Sequence, residues 1–424
     1  MRNIFLLVLL VCISLFISRF SHEHSNTNDG KEYTYAAHNL LHNNTLYSGN
    51  LDAELDYRLF SKRTVGFPLI LLFQHINPYI LAVFQILLIL ISFFLGLQLL
   101  RHYTLKRQAF LLYSIGFITQ LAFLLHVGFV LSDLLLASLI SILVLIYYTS
   151  KSSFKVKTIA ISVLWASALL VKPILLPTAW LSPLIFVFIL VKHKKAEPFT
   201  LLPFLAFLVF SFFNYTSTKI FEYSSISTIN LTQYNAKLAM AKKYGYDSAQ
   251  HFVNSPSLAI PRTEAEYSSY LANAKEMGVS AILKNLTAYT QVHILGCIKT
   301  IVDPGRFELY TFFNETTNET SLTEMMFSRN WNGIKKSLSA NYWLIIVLLV
   351  STLFSLLKFL GFVFCLRSGK EMKFLLLTIA YFVVITGPVG AARFFLPVSI
   401  LFIVCSAIGW GAILQFFQKS SKRQ

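Results

Sequence analysis

The chain has 424 residues, of which 55% are hydrophobic and only 13% are charged, and its mean hydropathy is +0.62. Soluble domains average roughly 45–50% apolar and about 25% charged residues. This composition excludes a soluble enzyme, a disordered scaffold and a disulfide-rich secreted module. The sequence therefore predicts a multi-pass membrane protein, and the net charge of +17 has to be explained within that class.

Ten apolar segments are candidates for helices that cross a hydrocarbon core of about 30 Å. They lie at residues 4–18, 79–100, 109–126, 134–149, 158–171, 174–191, 199–215, 341–360, 374–390 and 394–417. Several are shorter than the ideal of about 20 residues. The predicted fold class is an all-α integral membrane protein with about ten to eleven transmembrane helices.

The basic residues are distributed unevenly between the two sides of this predicted topology. If the N-terminus is cytoplasmic, the cytoplasmic pieces hold 17 of the 36 basic residues, including Lys358, and two of the 19 acidic ones. Short loops rich in Lys and Arg stay on the cytoplasmic side of a membrane. The charge thus reflects topology, and nucleic acid is not an expected partner. Short loops and a compact chain favour a bacterial inner membrane, with the longer loops facing the periplasm.

Two longer polar regions divide the chain into three parts. Residues 1–215 form an N-terminal transmembrane core that includes a first outer loop at 19–78. Residues 216–340 form a second outer region, and residues 341–424 carry the C-terminal transmembrane helices. No two matching halves are visible, which argues against a transporter built from inverted repeats.

The first outer loop contains the pattern of two juxtamembrane helices. Residues 26–29 (Asn-Thr-Asn-Asp) form a helix-start signal, and Pro68 suits the first turn of a second helix. The apolar side chains after the start signal recur on one helical face. They are Tyr33, Ala36, Ala37, Leu40 and Leu41. We therefore expect a first helix lying at the membrane surface and a second, shorter helix before the next transmembrane segment.

The second outer region is predicted to be mostly helical. Residues 236–244 favour a helix that ends at Gly245, and Thr263 with Glu266 forms a capping box for a helix expected to end at Gly278. A further amphipathic segment, residues 280–302, stops at Asp303 and the Pro-Gly that follows. Its pattern leaves open whether this segment is interfacial or inserted in the membrane.

Charged residues recur at the outer ends of the predicted transmembrane helices. Lys62, Arg63, Lys172 and Arg393 provide positive charge there, and Asp133 provides a carboxylate. Ionisable groups at membrane depth are costly and usually face a cavity. Cations on the outer side run against the positive-inside bias, so we expect an anionic partner, and a lipid phosphate is available at that depth. The alternative for each residue alone is snorkelling to lipid headgroups.

The carboxylates of the first outer loop and the start of segment 134–149 each have two interpretations. Asp29 could be the N-cap of the first outer helix, reciprocated by Glu32, or it could be a general base. Asp133 could similarly cap the helix that follows it. The acidic cluster at residues 52–56 favours a solvated loop. His38 and His42 share a helical face, but no suitable carboxylate or Cys completes a metal site, so no metal or other cofactor is expected.

Several short motifs occur in a defined order along the predicted outer face. Asp29, Tyr33 and Ala37-His38-Asn39-Leu40 are similar to a family pattern of Asp, then Tyr, then Ala-x-Asn-Leu on a juxtamembrane helix. Residues 63–68, Arg-Thr-Val-Gly-Phe-Pro, resemble Arg-x-Pro-Gly-Tyr-Pro of the same family.

Three further motifs come next, in family order. Ser132-Asp133 resembles Ser-Glu, Lys172-Pro173 resembles Arg-Pro, and residues 392–397 resemble Ala-Arg-Tyr-x-x-Pro. Together the motifs resemble the polyprenyl-phosphate-dependent glycosyltransferases of the GT-C class. The nearest pattern is glycosyltransferase family 39, which includes protein O-mannosyltransferases and lipid A aminoarabinose transferases.

The resemblance implies a membrane glycosyltransferase that moves a sugar from a polyprenyl-phosphate donor to an acceptor hydroxyl, with inversion. Asp29 would be the general base, and Glu32 would orient a cation or a sugar hydroxyl. The cations would bind the donor phosphate, with Tyr33 and Asp133 in support. Undecaprenyl phosphate is the expected carrier in a bacterium, the lipid-linked sugar being substrate rather than cofactor. The acceptor is a lipid or glycan, with a protein as a further option.

Two other function classes are compatible with the composition. A lipid-linked glycan transporter of the flippase type would need charge along a path through the bilayer. A protein like the O-antigen ligases or polymerases would carry its chemistry in a late loop. A non-enzymatic scaffold is the remaining option. No motif identifies the sugar, the acceptor or the oligomeric state.

Overall fold

The structure is a computed structural model that describes residues 2–20, 27–75, 77, 79–313, 330–333, 335, 342–368 and 371–421. Within these ranges the regular structure is entirely helical, without strands. Part of the predicted start signal at 26–29 and the later part of the predicted second outer region lie outside the described residues. The chain is therefore an all-helical protein with membrane-spanning character, as composition predicted.

Six helices in the described ranges are long and apolar enough to cross a membrane. They are Ile80–Tyr103, Phe154–Val171, Pro173–His193, Pro198–Thr218, Tyr342–Cys365 and Ala392–Gln415. Three shorter apolar helices accompany them: Phe5–Ser18, Asp133–Thr149 and Lys373–Val389. The expected number of ten to eleven spans is not reached by the described helices.

One predicted transmembrane segment, 109–126, is not a continuous helix. The structure divides it into Arg107–Ile118 and the short helix Leu121–Leu124. At the break, Lys358 donates from Nζ to the Thr119 carbonyl at 3.4 Å and to Gln120 Oε1 at 2.5 Å. Irregular backbone at membrane depth is tolerated when protein groups satisfy its polar atoms.

The sequence analysis counted Lys358 with a cytoplasmic piece of the chain, and the structure differs in its local placement. This residue is buried within the helix Tyr342–Cys365 rather than placed in a terminal loop. The backbone N–H groups of a helical span are already bonded to carbonyls of the same helix. A carbonyl left unpaired at a break in a neighbouring helix therefore needs a side-chain donor, which a long lysine can provide.

The helix Ala392–Ser421 is the centre of the bundle. In its most apolar window 78% of the residues are buried, against 22–50% in the other five candidate spans. It packs against Tyr342–Cys365, Asp133–Thr149 and Arg107–Ile118. Arg393 is in the first turn of this helix and therefore lies among the ends of several neighbouring helices.

The first outer loop contains the two predicted helices, Asn28–His42 and Gly66–Leu71. A 3₁₀ turn at Tyr57–Phe60 precedes the second helix, and another at Leu72–His75 follows it. The two helices meet through a buried cluster in which the rings of Tyr33 and Phe67 lie edge to face, with centroids 5.0 Å apart. The loop is therefore a packed unit on the end of the bundle.

The second outer region is helical where it is described. Its helices are Ile226–Asn230, the π-helix Leu231–Ala236, Lys237–Tyr244, Tyr246–Val253, Glu264–Lys284, Leu286–Val302 and Arg306–Phe312, with a 3₁₀ turn at Pro256–Leu258. The predicted end at Gly245 and start at Thr263 are both present.

The predicted helix end at Gly278 is wrong. The helix Glu264–Lys284 continues through this residue, and the chain breaks instead at Asn285. A Cβ at Gly278 would lie 2.7 Å from Cγ of Leu231, so the glycine allows the helix to pack closely on the π-helix. Glycine here serves close packing rather than helix termination.

Candidate functional site

Seven charged side chains from separate parts of the chain meet at one end of the helical bundle. We call this group the ionic cluster. Its members are Asp29, Glu32, Lys62, Arg63, Asp133, Lys172 and Arg393. Every charged residue that the sequence analysis placed in the candidate site belongs to it.

The first outer loop supplies four members of the ionic cluster. Glu32 accepts from Lys62 Nζ at 2.6 Å and from Arg63 Nε at 2.8 Å. Arg63 Nη2 binds both Glu32, at 2.5 Å from Oε2, and Asp29. The two carboxylates on one face of the helix Asn28–His42 therefore hold both basic residues of the loop.

The apolar helices of the bundle supply the other three members. Asp133 is completely buried and binds Lys172 Nζ and, at 3.1 Å, Arg393 Nε. Arg393 also reaches Asp29, with 2.5 Å between Nη1 and Oδ2. Arg393 thus joins the outer-loop half of the cluster to the membrane half.

Aromatic and small residues hold the two halves together. The Tyr33 ring lies under the Arg63 guanidinium at 4.8 Å, and its hydroxyl lies 3.0 Å from Ser132 Oγ, next to Asp133. A Cβ on Gly66 would lie 2.7 Å from the Leu170 carbonyl oxygen. This close approach seats the first outer loop on the helix end that carries Lys172.

The capping interpretation of Asp29 is wrong. Thr27 is the N-cap of the helix Asn28–His42, and its hydroxyl accepts from the Gly30 N–H at 3.0 Å. The capping interpretation of Asp133 is also wrong, because Ser132 is the N-cap and the Asp133 carboxylate faces the two cations. Neither carboxylate is used for capping.

Asp29 is the most accessible carboxylate of the ionic cluster. Its side chain is 32% exposed, against 18% for Glu32 and 0% for Asp133. Burial raises the pKa of Asp29, but the charges of Arg63 and Arg393 outweigh burial and hold the pKa below its usual range. Asp29 is therefore ionised at neutral pH and faces solvent on one side.

Other predicted candidates lie outside the ionic cluster. Asp56 binds Arg58 at 2.7 Å, and Glu54 binds Arg262 at 2.8 Å, as suits a polar loop. The rings of His38 and His42 contact each other, with centroids 4.5 Å apart. Among the described residues, no three His, Cys, Asp or Glu side chains are grouped as metal ligands would be.

The sequence analysis missed a polar contact that connects the two outer regions. The Glu222 carboxylate accepts from Ser61 Oγ at 2.5 Å and from the Tyr267 hydroxyl. Ser61 directly precedes Lys62, so this contact fixes the backbone that carries the cations of the loop. Nothing in the local pattern distinguishes Glu222 from a solvated carboxylate, because its partners are more than forty residues away.

The sequence analysis also missed Glu308, which lies near the membrane half of the cluster. Glu308 is 1% exposed, and neither carboxylate oxygen has a hydrogen-bond partner among the described residues. Burial, followed by the charge of Asp303, raises its pKa to about 8. Glu308 is therefore a neutral carboxyl group at pH 7.

Glu308→Gln is expected to remove a pH-dependent loss of stability. Because the folded-state pKa is above the ordinary value of 4.5, the wild type loses stability as the pH rises from about 4.5 through 8. Gln imitates the protonated form, so the variant is expected to be more stable than the wild type at pH 9, by on the order of 2–4 kcal/mol. Thermal unfolding in detergent between pH 5 and 9 measures the difference.

The control is Glu276→Gln, which changes an exposed carboxylate on the helix Glu264–Lys284. It should follow the wild-type stability curve at every pH. If Glu308→Gln also follows that curve, Glu308 is ionised in the folded protein at pH 7.

The chain was also compared with known proteins. No family model matches it, and neither a curated protein nor a solved structure is similar to it.

Proposed function

We propose that this protein is a membrane glycosyltransferase that moves a sugar from a polyprenyl-phosphate donor to an acceptor hydroxyl. The ionic cluster is the observation that carries the proposal. Its four cations and three carboxylates leave one net positive charge. A polyprenyl-phosphate sugar is a phosphodiester with a single negative charge, so its binding would neutralise the site.

The position of the cluster supports a donor that is held in a membrane. Lys172 and Arg393 lie at the ends of long apolar helices, at the depth where the phosphate of a lipid carrier would be found. The guanidinium groups of Arg63 and Arg393 can bind phosphate oxygens in pairs. A carrier phosphate would compete with Asp29 for these guanidinium groups.

Asp29 is proposed as the general base because its carboxylate is the most accessible in the cluster. The acceptor oxygen attacks the anomeric carbon and its proton passes to Asp29, while the bond from that carbon to the phosphate oxygen breaks. Polyprenyl phosphate leaves with one additional negative charge. Arg63, Arg393, Lys62 and Lys172 stabilise this charge as it develops.

Competition between the donor phosphate and Asp29 for the two arginines also changes the basicity of Asp29. Without donor, Asp29 is a weak base because two guanidinium groups hold its pKa low. When the donor phosphate draws these groups away, the proton affinity of Asp29 rises. The carboxylate thus becomes a better base once the donor is bound.

The test uses the protein in nanodiscs with polyprenyl-phosphate mannose, glucose, galactose and aminoarabinose as donors. The expected result is release of polyprenyl phosphate from at least one of them. Exchange of an intact lipid-linked sugar between the two leaflets of a proteoliposome, without release of polyprenyl phosphate, would favour a transporter instead. The bacterial inner membrane, with the cluster facing the periplasm, is the proposed location.

A further inference from the structure

The helix Leu286–Val302 of the second outer region changes from polar to apolar along one exposed face. Its first half exposes three polar side chains, those of Thr287, Thr290 and Gln291. Its second half exposes three large apolar side chains, those of Ile294, Leu295 and Ile298, which are 54%, 57% and 53% exposed. Successive positions on this face are three or four residues apart, as neighbours on one side of a helix are. Exposed apolar side chains that form a cluster mark a surface that contacts a partner or a membrane.

The second half of this helix also lies deeper in the bundle than the first half. A Cβ on Gly387 would lie 2.9 Å from His293 Cε1, and Gly387 is at the end of the apolar helix Lys373–Thr386. One turn further along, Cys297 Sγ donates to the Val383 carbonyl at 3.3 Å. Val383 lies one turn inside that apolar helix. The helix of the second outer region therefore runs inward along the end of its neighbour.

Exposed apolar side chains of the neighbouring helix lie at the same depth. Val384 and Ile385 directly follow Val383 and are 59% and 41% exposed. Their helix is one of the shorter apolar helices that accompany the candidate spans. In a membrane protein, exposed apolar side chains on such a helix face the acyl chains of lipids. Ile298 directly follows Cys297, so the apolar half of the exposed face reaches this depth.

The order of polar and apolar side chains is that of a helix entering a membrane leaflet. The polar half lies at the end of the bundle, where lipid headgroups and water would be, and the apolar half lies where acyl chains would begin. Contact with water alone would not favour apolar side chains in the deeper half. Lys299 follows Ile298 and is exposed. A lysine here can extend its ammonium group to the lipid phosphates, which limits insertion to the upper part of the leaflet.

The end of the same helix holds the backbone next to Arg393. The helix ends at Asp303, whose Oδ2 accepts from the Ala392 N–H at 2.8 Å and whose Oδ1 accepts from the Gly305 N–H at 3.1 Å. Ala392 directly precedes Arg393 in the helix at the centre of the bundle. The depth at which the helix Leu286–Val302 lies is therefore coupled to the depth of this cation of the ionic cluster.

We infer that the helix Leu286–Val302 is inserted obliquely into the membrane leaflet on the side of the ionic cluster. Its exposed face is a lipid-binding surface, with Ile294, Leu295 and Ile298 against phospholipid acyl chains and with Thr287 at the headgroups. This inference does not depend on the proposed function. It makes the second outer region a membrane-bound part of the protein instead of a domain held in water.

The first test places a benzophenone amino acid at one position of the full-length protein in phosphatidylcholine nanodiscs. After illumination, mass spectrometry is expected to show crosslinks from position 295 to phospholipid acyl chains. The control is position 272, because Ala272 shares an exposed face with the charged side chains of Lys275 and Glu276 on the helix Glu264–Lys284. Lipid crosslinks from the control position should be about tenfold fewer, since charged groups are excluded from acyl chains.

Two results of the crosslinking would overturn the inference. Equal yields of lipid crosslinks at positions 295 and 272 would place the apolar face outside the acyl chains. Crosslinks from position 295 to a second copy of the chain, in place of lipid, would make the face a protein interface.

The second test measures depth with a nitroxide label on Leu295→Cys and on Ala272→Cys, in protein whose four native cysteines are replaced by alanine. Collisions with oxygen, relative to those with a water-soluble nickel complex, are expected to be about tenfold more frequent at position 295. Equal ratios at the two positions would contradict insertion. The crosslinking keeps the native cysteines, so it decides the question even if the cysteine-free protein does not fold.

Discussion

Asp29→Asn is expected to lower kcat for sugar transfer by about 10²–10⁴-fold, because the amide cannot accept the proton of the acceptor hydroxyl. Donor binding should be unchanged or tighter, since the variant raises the net charge of the ionic cluster from one to two. Helix capping is not affected, because Thr27 provides the cap. Single-turnover kinetics and donor binding, measured side by side in nanodiscs, give the two quantities.

The control for this variant is Asp52→Asn, which removes an exposed carboxylate from the same outer loop. It should transfer sugar at the wild-type rate. Wild-type turnover by Asp29→Asn would show that the base lies elsewhere, and Glu32 would be the next residue to test.

The pH dependence of the wild type offers a second measure of the same mechanism. The profile of kcat/KM reports the free enzyme, in which the arginines hold the pKa of Asp29 below its usual range. The profile of kcat reports the donor complex, in which the phosphate shares those arginines. The acidic limb of kcat is therefore expected at higher pH than that of kcat/KM. Coincident limbs would mean that the donor phosphate does not take Arg63 and Arg393 from Asp29.

Asp133→Asn is expected to destabilise the protein by about 3–5 kcal/mol, because it removes the countercharge of a buried lysine. Asp133 is completely buried and Lys172 nearly so, and each would be costly to bury alone. Arg393 retains Asp29 as a partner, so the cost falls mainly on Lys172. Unfolding in mixed micelles at increasing denaturant measures the loss.

A double-mutant cycle distinguishes loss of the ion pair from general damage to the core. Lys172→Gln alone should also be destabilising, and the double variant should lose less than the two single losses added together, by about 1–3 kcal/mol. Asp52→Asn again serves as the control, with little expected change. Additive effects would mean that Asp133 and Lys172 are not coupled in the folded protein.

The residues of the ionic cluster could be selected from the sequence because charge is rare in this chain. In an apolar chain, a Lys or Arg at the outer end of a membrane segment is conspicuous, as Lys172 and Arg393 are. Helix periodicity likewise identified the helix that carries Asp29 and Glu32. Their roles in binding and catalysis remain predictions.

Some features could not be predicted because they depend on partners far apart in the chain. Gly278 resembled a helix end, yet it lies mid-helix against Leu231. Lys358 was counted with a cytoplasmic piece of the chain, and the pattern gave no sign of its contact with the broken helix at Thr119 and Gln120. Local patterns report on neighbours within about one turn, whereas packing and buried polar contacts are decided by residues brought together by the fold.

Composition and periodicity were sufficient to predict a helical membrane protein with cations and carboxylates at the ends of its apolar segments. They suffice because the cost of burying charge in a membrane acts on each segment separately. The folded structure was needed to distinguish the carboxylate that faces solvent, Asp29, from the one that is enclosed, Asp133. That distinction depends on how the first outer loop closes over the helix ends, and no local pattern contains that information.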